Sequence, residues 1–288
     1  MDNKIQKIGP KDFPPLLREI NDPPKKLYVK GTLPDWKENM FLAVVGARKY
    51  TSYGKEACEK LIAGLRGYPI VIVSGLALGI DSIAHRAALD AGLKTIAVPG
   101  SGLGPEFIYP RSHVALAEKI VESGGALLSE FEPKTPGYPK NFPQRNRIMA
   151  GMTHATLVVE AEIRSGTLIT SKFAIEYNRD VLTIPGSIFS KTSEGPHMLL
   201  RLGATPITTS EELLEALGFE QDEETRTQVL FADASPEEQI ILNFLVEPMT
   251  RDELIRTCGK STSEMNVLLS GMEIKGMIKE SLGELRKT

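Results

Sequence analysis

Glycine clusters with serine, threonine or arginine recur along the chain, each after a short apolar run. They are Gly46-Ala47-Arg48, Ser74-Gly75, Gly100-Ser101-Gly102, Ser165-Gly166-Thr167 and Pro185-Gly186-Ser187. Glycine lets backbone N–H groups approach an anion closely, and a helix N-terminus adds partial positive charge. Hydroxyls add donors. Turns need glycine in any case, so one such loop means little, but five on one rim predict an anion-binding edge. Its candidate phosphate contacts are Gly46, Ser74, Gly75, Gly100, Ser101, Gly102, Ser165, Gly166 and Thr167.

A second cluster suggests which anion. KTPGYPKNFPQRNR (134–147) holds Lys134, Lys140, Arg145 and Arg147, with Tyr138 and Phe142 among them and no acid. Cations for phosphates interleaved with rings for bases suit a single-stranded nucleic acid. A solvated loop leading into a basic helix start would have the same composition. Cations oppose the dipole at a helix N-terminus, however, and that misfit favours function. Arg48, Lys140, Arg145 and Arg147 are therefore expected to hold nucleic-acid phosphates. Phe142 is the candidate stacking ring, its alternative being a core anchor for the loop.

Other chemistries lack their residues. GSGLGP (100–105) has proline where the last glycine of GxGxxG belongs, and Gly259-Lys260-Ser261 has Leu254 where a Walker loop needs glycine. No GxSxG elbow supplies a nucleophile. Asp81 and His85 are spaced i, i+4 and read as a structural hydrogen-bonded pair, while His113, His154 and His197 show no ligand spacing. Glu160 and Glu162 follow a strand, where a carboxylate more often orders nearby N–H groups than transfers protons. Cys58 reads as a core residue. No metal, cofactor or catalytic turnover is expected.

The elements that must position these residues follow from periodicity. FLAVV (41–45), IVIV (70–73), TIAV (95–98), ALLS (126–129), TLVV (156–159), VLTI (181–184) and a weaker TPIT (205–208) alternate with helical patterns. Continuous apolar runs of this length suit strands buried on both faces. The expected fold is α/β, a Rossmann-like doubly wound and mostly parallel sheet over 41–218. Residues 1–40 read as a lead-in with LYVKGTLP as a short edge strand, and 219–228 as a linker. In 229–288, three capping boxes (Ser235/Glu238, Thr250/Glu253, Ser261/Glu264) and a hairpin at Gly283 form a winged-helix pattern.

The 288 residues, 41% hydrophobic and 25% charged, exclude a disordered chain. Two cysteines exclude a disulfide scaffold and suit a reducing cytoplasm. No apolar run is long enough for a membrane span, and the polar start is no signal peptide. The net charge of −3 is concentrated in 221–288, where 13 acids face 8 bases.

Together, VVGARKYTSYG (44–54), VSGLALGIDSIAH (73–85), VPGSGLGPEFIYP (98–110), LLSEF (127–131), FPQRNRIMAGM (142–152), VVEAEIRSGTLITSKFAIEYNRDVLTIPG (158–186) and SEGPHMLLRLGA (193–204) resemble the DprA/Smf family of DNA-processing proteins. The resemblance implies a Rossmann-like domain, usually dimeric, that binds single-stranded DNA and hands it to the RecA recombinase during natural transformation. It places the family's first-loop arginine on Arg48 and its basic block on Arg145-Asn146-Arg147. His197 stands where the family usually has asparagine. The helical N-terminal domain of many members is expected to be absent or much reduced. Two other readings compete. A phosphoribohydrolase-like enzyme would need a carboxylate near Ser171 and Lys172. A winged-helix transcription regulator would have to read DNA with Glu264 and Asn266 from an acidic segment.

Overall fold

The computed structural model describes residues 4–219, 235–245, 248–259, 261–275, 277–281 and 283–287. The chain divides into two compact units, Met1–Glu220 and Gln221–Thr288.

All seven apolar runs form strands of the large unit: β3 (Met40–Val45), β4 (Ile70–Ser74), β5 (Lys94–Ala97), β6 (Ala126–Ser129), β7 (Ala155–Val158), β8 (Asp180–Thr183) and β9 (Thr205–Pro206). They run parallel. With β1 (Gln6–Ile8) and β2 (Leu27–Gly31), the described sheet has the order β1-β2-β6-β5-β4-β3-β7-β8-β9. Strand side chains alternate between the two faces of the sheet. Leu42, Val44 and Ile72 join Cys58 and Ile62 of α2 (Ser52–Ala63) and Ala84 of α3 (Ile80–Asp90) on one face. Phe41, Val45 and Val73 join Ile148 and Met149 of α5 (Asn141–Met152) and Ala174 of α6 (Thr167–Glu176) on the other. Cys58 is fully buried, and burial pushes its thiol up to about 12.

The N-terminal segment is more than a lead-in. β2 is not the edge strand: it lies between β1 and β6 and pairs with both antiparallel, Tyr28 standing opposite Ser129. The short QKI of β1 lacks the apolar run that would have marked it. Phe13, Leu17 and Ile20, around α1 (Pro15–Arg18), are buried in the second core. At Gly151 of α5 an added Cβ would lie 2.8 Å from Ile20, so the absence of a side chain there permits the close approach.

Between β5 and β6, α4 (Val114–Glu122) buries Leu116 and Ile120, and later α7 (Glu194–Arg201) and α8 (Ser210–Ala216) complete the layers. Of the expected linker 219–228, only Phe219 lies among the described residues, with its ring against Tyr68.

The second unit contains α9 (Pro236–Phe244), β10 (Met249–Thr250), α10 (Arg251–Cys258), α11 (Thr262–Ile274), β11 (Ile278–Ser281) and β12 (Glu284–Lys287). This is a winged-helix arrangement. All three capping boxes form, and Gly283 turns the hairpin at φ +82°. Ile241, Leu245 and Leu254 enter its core, while Ile240, Phe244 and Val267 face solvent. The inward faces of α9 and α11 instead carry Leu242, Met265, Leu269 and Met272. Among the described residues no helix is long and apolar enough to cross a membrane.

Candidate nucleic-acid interface

Chain order reverses beside β3: β4, β5 and β6 lie on one side of it, β7, β8 and β9 on the other. Beyond the carboxyl ends of strands at such a switch point, loops diverge and leave a crevice. Here a cleft of about 720 Å³ opens, lined by the loop after β3, the loop before α6 and the first turns of α5. Arg48, Lys49 and Arg164 stand exposed on its lining, and among the described residues none of them is held in an ion pair.

Two of the five glycine loops open into this cleft. In the loop after β3, Gly46 is tight against Ile80, while Arg48 and Lys49 project outward. In the loop before α6, Gly166 is exposed, with nothing within 4 Å of where a Cβ would stand. Ser165 Oγ accepts from the Thr167 N–H at 3.2 Å, and Thr167 Oγ1 donates to the Gly46 carbonyl at 3.0 Å. That bond ties the two open loops together.

The other loops are filled by the protein itself, which corrects the expectation of a five-loop phosphate edge. Ser74 is buried and donates to the Val44 carbonyl at 2.6 Å. An added Cβ at Gly75 would meet the Arg145 guanidinium inside 3.0 Å, and one at Gly100 would meet the Phe142 ring. Ser101 is fully buried, and Gly102 lies against the carbonyls of Glu132 and Pro133. Gly186 faces Ser193, and His197 Nε2 lies 3.0 Å from the Gly186 carbonyl oxygen. These glycines admit side chains and backbone of the same chain rather than an anion.

The RNR block divides three ways. Arg145 is only 4% exposed and forms part of the cleft floor. Its Nη1 donates to the carbonyls of Gly75, at 2.5 Å, and Val98, while Nε donates to Asn146 Oδ1 at 3.1 Å. Burial lowers its pKa to about 10, against the stabilising charge of Asp81. Asp81 lies on the same floor, its Oδ2 accepting the N–H groups of Gly75 (3.1 Å) and Ala77 (3.3 Å). Its pKa is raised by burial, with Arg145 opposing the shift. Asn146 lines the wall and donates to the Gly166 carbonyl at 3.2 Å. Arg147 is outside the cleft lining, paired with Glu130 at 2.7 Å and Asp22 at 3.2 Å. Its charge is already engaged, contrary to the expected phosphate contact.

Phe142 is half-buried, with Arg48 over its ring at 5.3 Å from the centroid and Tyr109 beside it at 5.6 Å. Lys140 is exposed immediately before α5. Sequence reasoning passed over Lys49, Arg164 and Tyr109, although Lys49 directly follows Arg48 and Arg164 directly precedes Ser165. Basic residues beside an open glycine loop were the available signal.

Asp81 and His85 do not form the expected pair, since His85 Nδ1 lies 2.7 Å from Thr95 Oγ1. Burial lowers the His85 pKa to about 3. Glu160 orders neighbouring donors, accepting from the Thr51 N–H (2.9 Å), Thr51 Oγ1 (2.6 Å) and Thr192 Oγ1 (2.9 Å).

A family model for DNA recombination-mediator protein A matches residues 4–218, and one for the DprA winged helix domain matches 224–283. Protein Smf of Escherichia coli (strain K12) is 44% identical over 207 residues, covering 72% of this chain and 54% of that one. The chain thus spans about half the length of that relative. DNA processing protein DprA of Streptococcus pneumoniae is also 44% identical over 207 residues, 72% of each chain. The solved structure of DprA from Streptococcus pneumoniae superposes with a TM-score of 0.68 at 40% identity, covering 76% of each chain. DprA from Helicobacter pylori, described for its single-stranded DNA binding mode, gives 0.65 at 29% identity over 75% of this chain and 98% of that one. Because the matches run through every strand of the large unit and on into the helices beyond it, the chain belongs to the DprA/Smf family of DNA-processing proteins.

Proposed function

We propose that this chain is a non-enzymatic, cytoplasmic single-stranded-DNA-binding recombination mediator that protects incoming DNA and loads RecA during natural transformation. The observation that carries the DNA reading is the set of exposed cations Arg48, Lys49 and Arg164, without an ion pair among the described residues, around a cleft whose floor holds the balanced charges of Asp81 and Arg145. Cations attract the phosphates to the rim, while on the floor the Asp81 charge is balanced by Arg145. The backbone then stays on the rim, with bases turned inward toward Phe142. RecA as recipient and a homodimeric state rest on the family resemblance alone. The enzyme reading would need a free carboxylate beside the glycine loop. Glu160 is engaged by three donors and Ser171 hydrogen-bonds within α6, so the exposed Glu162 on the cleft lining is the carboxylate that reading would have to use, and nucleotide turnover lost in Glu162→Gln would support it.

Phe142 tests the base side of this reading. Its contact with Gly100 means that Phe142→Ala disturbs packing as well as stacking. Phe142→Leu keeps most of the volume and removes the ring. It is expected to leave Tm near wild type and weaken DNA binding by roughly 1–3 kcal/mol. Wild-type affinity in that variant would reject the stacking role.

The winged helix is assigned the smaller share of DNA affinity, because phosphate contacts need cations and residues 221–288 carry 13 acids against 8 bases. Band shifts of a single-stranded oligonucleotide of about 30 nucleotides and the same sequence as duplex, for the full chain and for a truncation after Gly218, test both claims. Both proteins are expected to prefer the single strand, with affinities within a few-fold of each other. A hundred-fold loss on truncation, or a preference for duplex, would make the winged helix the principal site.

A further inference from the structure

We infer that the single strand leaves the cleft past Lys140 at its edge and runs along the rim toward β2, on an extension formed by Tyr138, Lys134 and Lys25, with Lys26 held in reserve by Glu132. This deepens the proposed function and rests on it.

The extension is continuous with the cleft. Arg48 covers Phe142, Phe142 touches Tyr109, and Tyr109 packs against Gly137, next to the exposed Tyr138. The same loop is pinned to the rim by bonds from Gly102 N–H to the Thr135 carbonyl and from Gly104 N–H to the Pro133 carbonyl, both 2.8 Å. Its start reaches the N-terminal segment, where Glu132 accepts from Tyr28 Oη at 2.6 Å and pairs with Lys26. Because β2 runs antiparallel to β6, Lys25 and Lys26 enter it at the carboxyl-end rim on which the cleft lies. Five strand spacings separate β2 from β7 in the sheet order, about 24 Å of rim.

Charge sets the direction. Toward β2 stand Lys25, Lys134 and Lys140, exposed and without an ion pair among the described residues; the Glu132 charge is met by Lys26, and the loop after β5 exposes Glu106 and Arg111, one charge of each sign. Toward β8 the loop carries Lys191 beside Glu194, with Ile188 and Phe189 exposed at its tip. A polyanion continues along the first side. Exposed Tyr138 and Tyr109 supply ring faces there, as sequence-tolerant single-strand sites require.

The test uses the full chain and oligothymidylates of about 5 and about 12 nucleotides, lengths that separate cleft from extension. Wild type should bind the longer strand with a steeper dependence of log affinity on log salt. Lys25→Glu/Lys134→Glu should bind the short strand as wild type does, while its slope on the long strand becomes shallower by about 1.4, roughly 0.7 per lost contact. Between 50 and 200 mM salt that removes about a seven-fold change in affinity. Glu132→Gln, which frees Lys26, should tighten binding of the long strand alone. A double variant with the wild-type slope on the long strand, or a Glu132→Gln variant that binds it no better, would overturn the extension. Failure of wild type to bind either strand would instead overturn the proposed function.

Discussion

Replacement of Arg145 by alanine is expected to lower the stability of the large unit by about 3–5 kcal/mol, the range for breaking a buried charged network by removing one member. The guanidinium fills the space that Gly75 leaves open and bonds the carbonyls of Gly75 and Val98, so it joins the loops after β4 and β5 to α5. It is also the buried positive charge nearest in effect to Asp81, whose carboxylate orders the loop through the N–H groups of Gly75 and Ala77. Without the arginine, two carbonyls lose charged donors and a buried carboxylate loses its compensation. Loss of DNA binding would follow from collapse of the floor. Thermal unfolding separates this from a phosphate contact: a variant with wild-type Tm and weakened DNA binding would return Arg145 to the role its sequence position suggests.

The Arg48→Ala/Arg164→Ala double variant is expected to show the opposite pattern. Both side chains are exposed on the cleft lining and unpaired among the described residues, so their removal should leave Tm unchanged. Arg48 also covers one face of Phe142, so its loss removes a cation and changes the ring's exposure together. The double variant should bind single-stranded DNA about a hundred-fold more weakly, a loss of about 2.7 kcal/mol. Fluorescence anisotropy with a labelled oligonucleotide measures it, and an affinity within three-fold of wild type would remove these arginines from the site.

Much of the fold was legible because its signals are local. An apolar run buried on both faces, or a serine three residues before a glutamate, means the same wherever the chain goes. The strands at 41–45 and 70–73 and the capping box at Ser235 are read that way. The site was legible only in outline, because glycine has two uses that sequence does not separate. Gly166 leaves space open, whereas Gly75 and Gly100 leave space that Arg145 and Phe142 occupy. Arginine is ambiguous in the same way. Arg147 meets Glu130 and Asp22, the latter 125 positions earlier in a segment with little pattern of its own. Arg164 has no such partner among the described residues, and nothing in its sequence position says so. The helix phase of α9 is ambiguous for a related reason: adjacent Ile240 and Ile241 are both apolar, and only packing decides which turns inward.

The central claim is that rim cations, not the buried arginines, hold the DNA backbone. Arg48, Lys49, Arg164 and the neighbouring Lys140 provide four contacts, and counterion release from a single strand then predicts a slope of about −3 in log affinity against log salt. The most direct measurement is that slope for wild type and for Arg48→Ala/Arg164→Ala on a short oligonucleotide. The predicted result is about −3 for wild type, an affinity loss near fifty-fold between 50 and 200 mM, and about −1.5 for the variant. Equal slopes in the two proteins would contradict it.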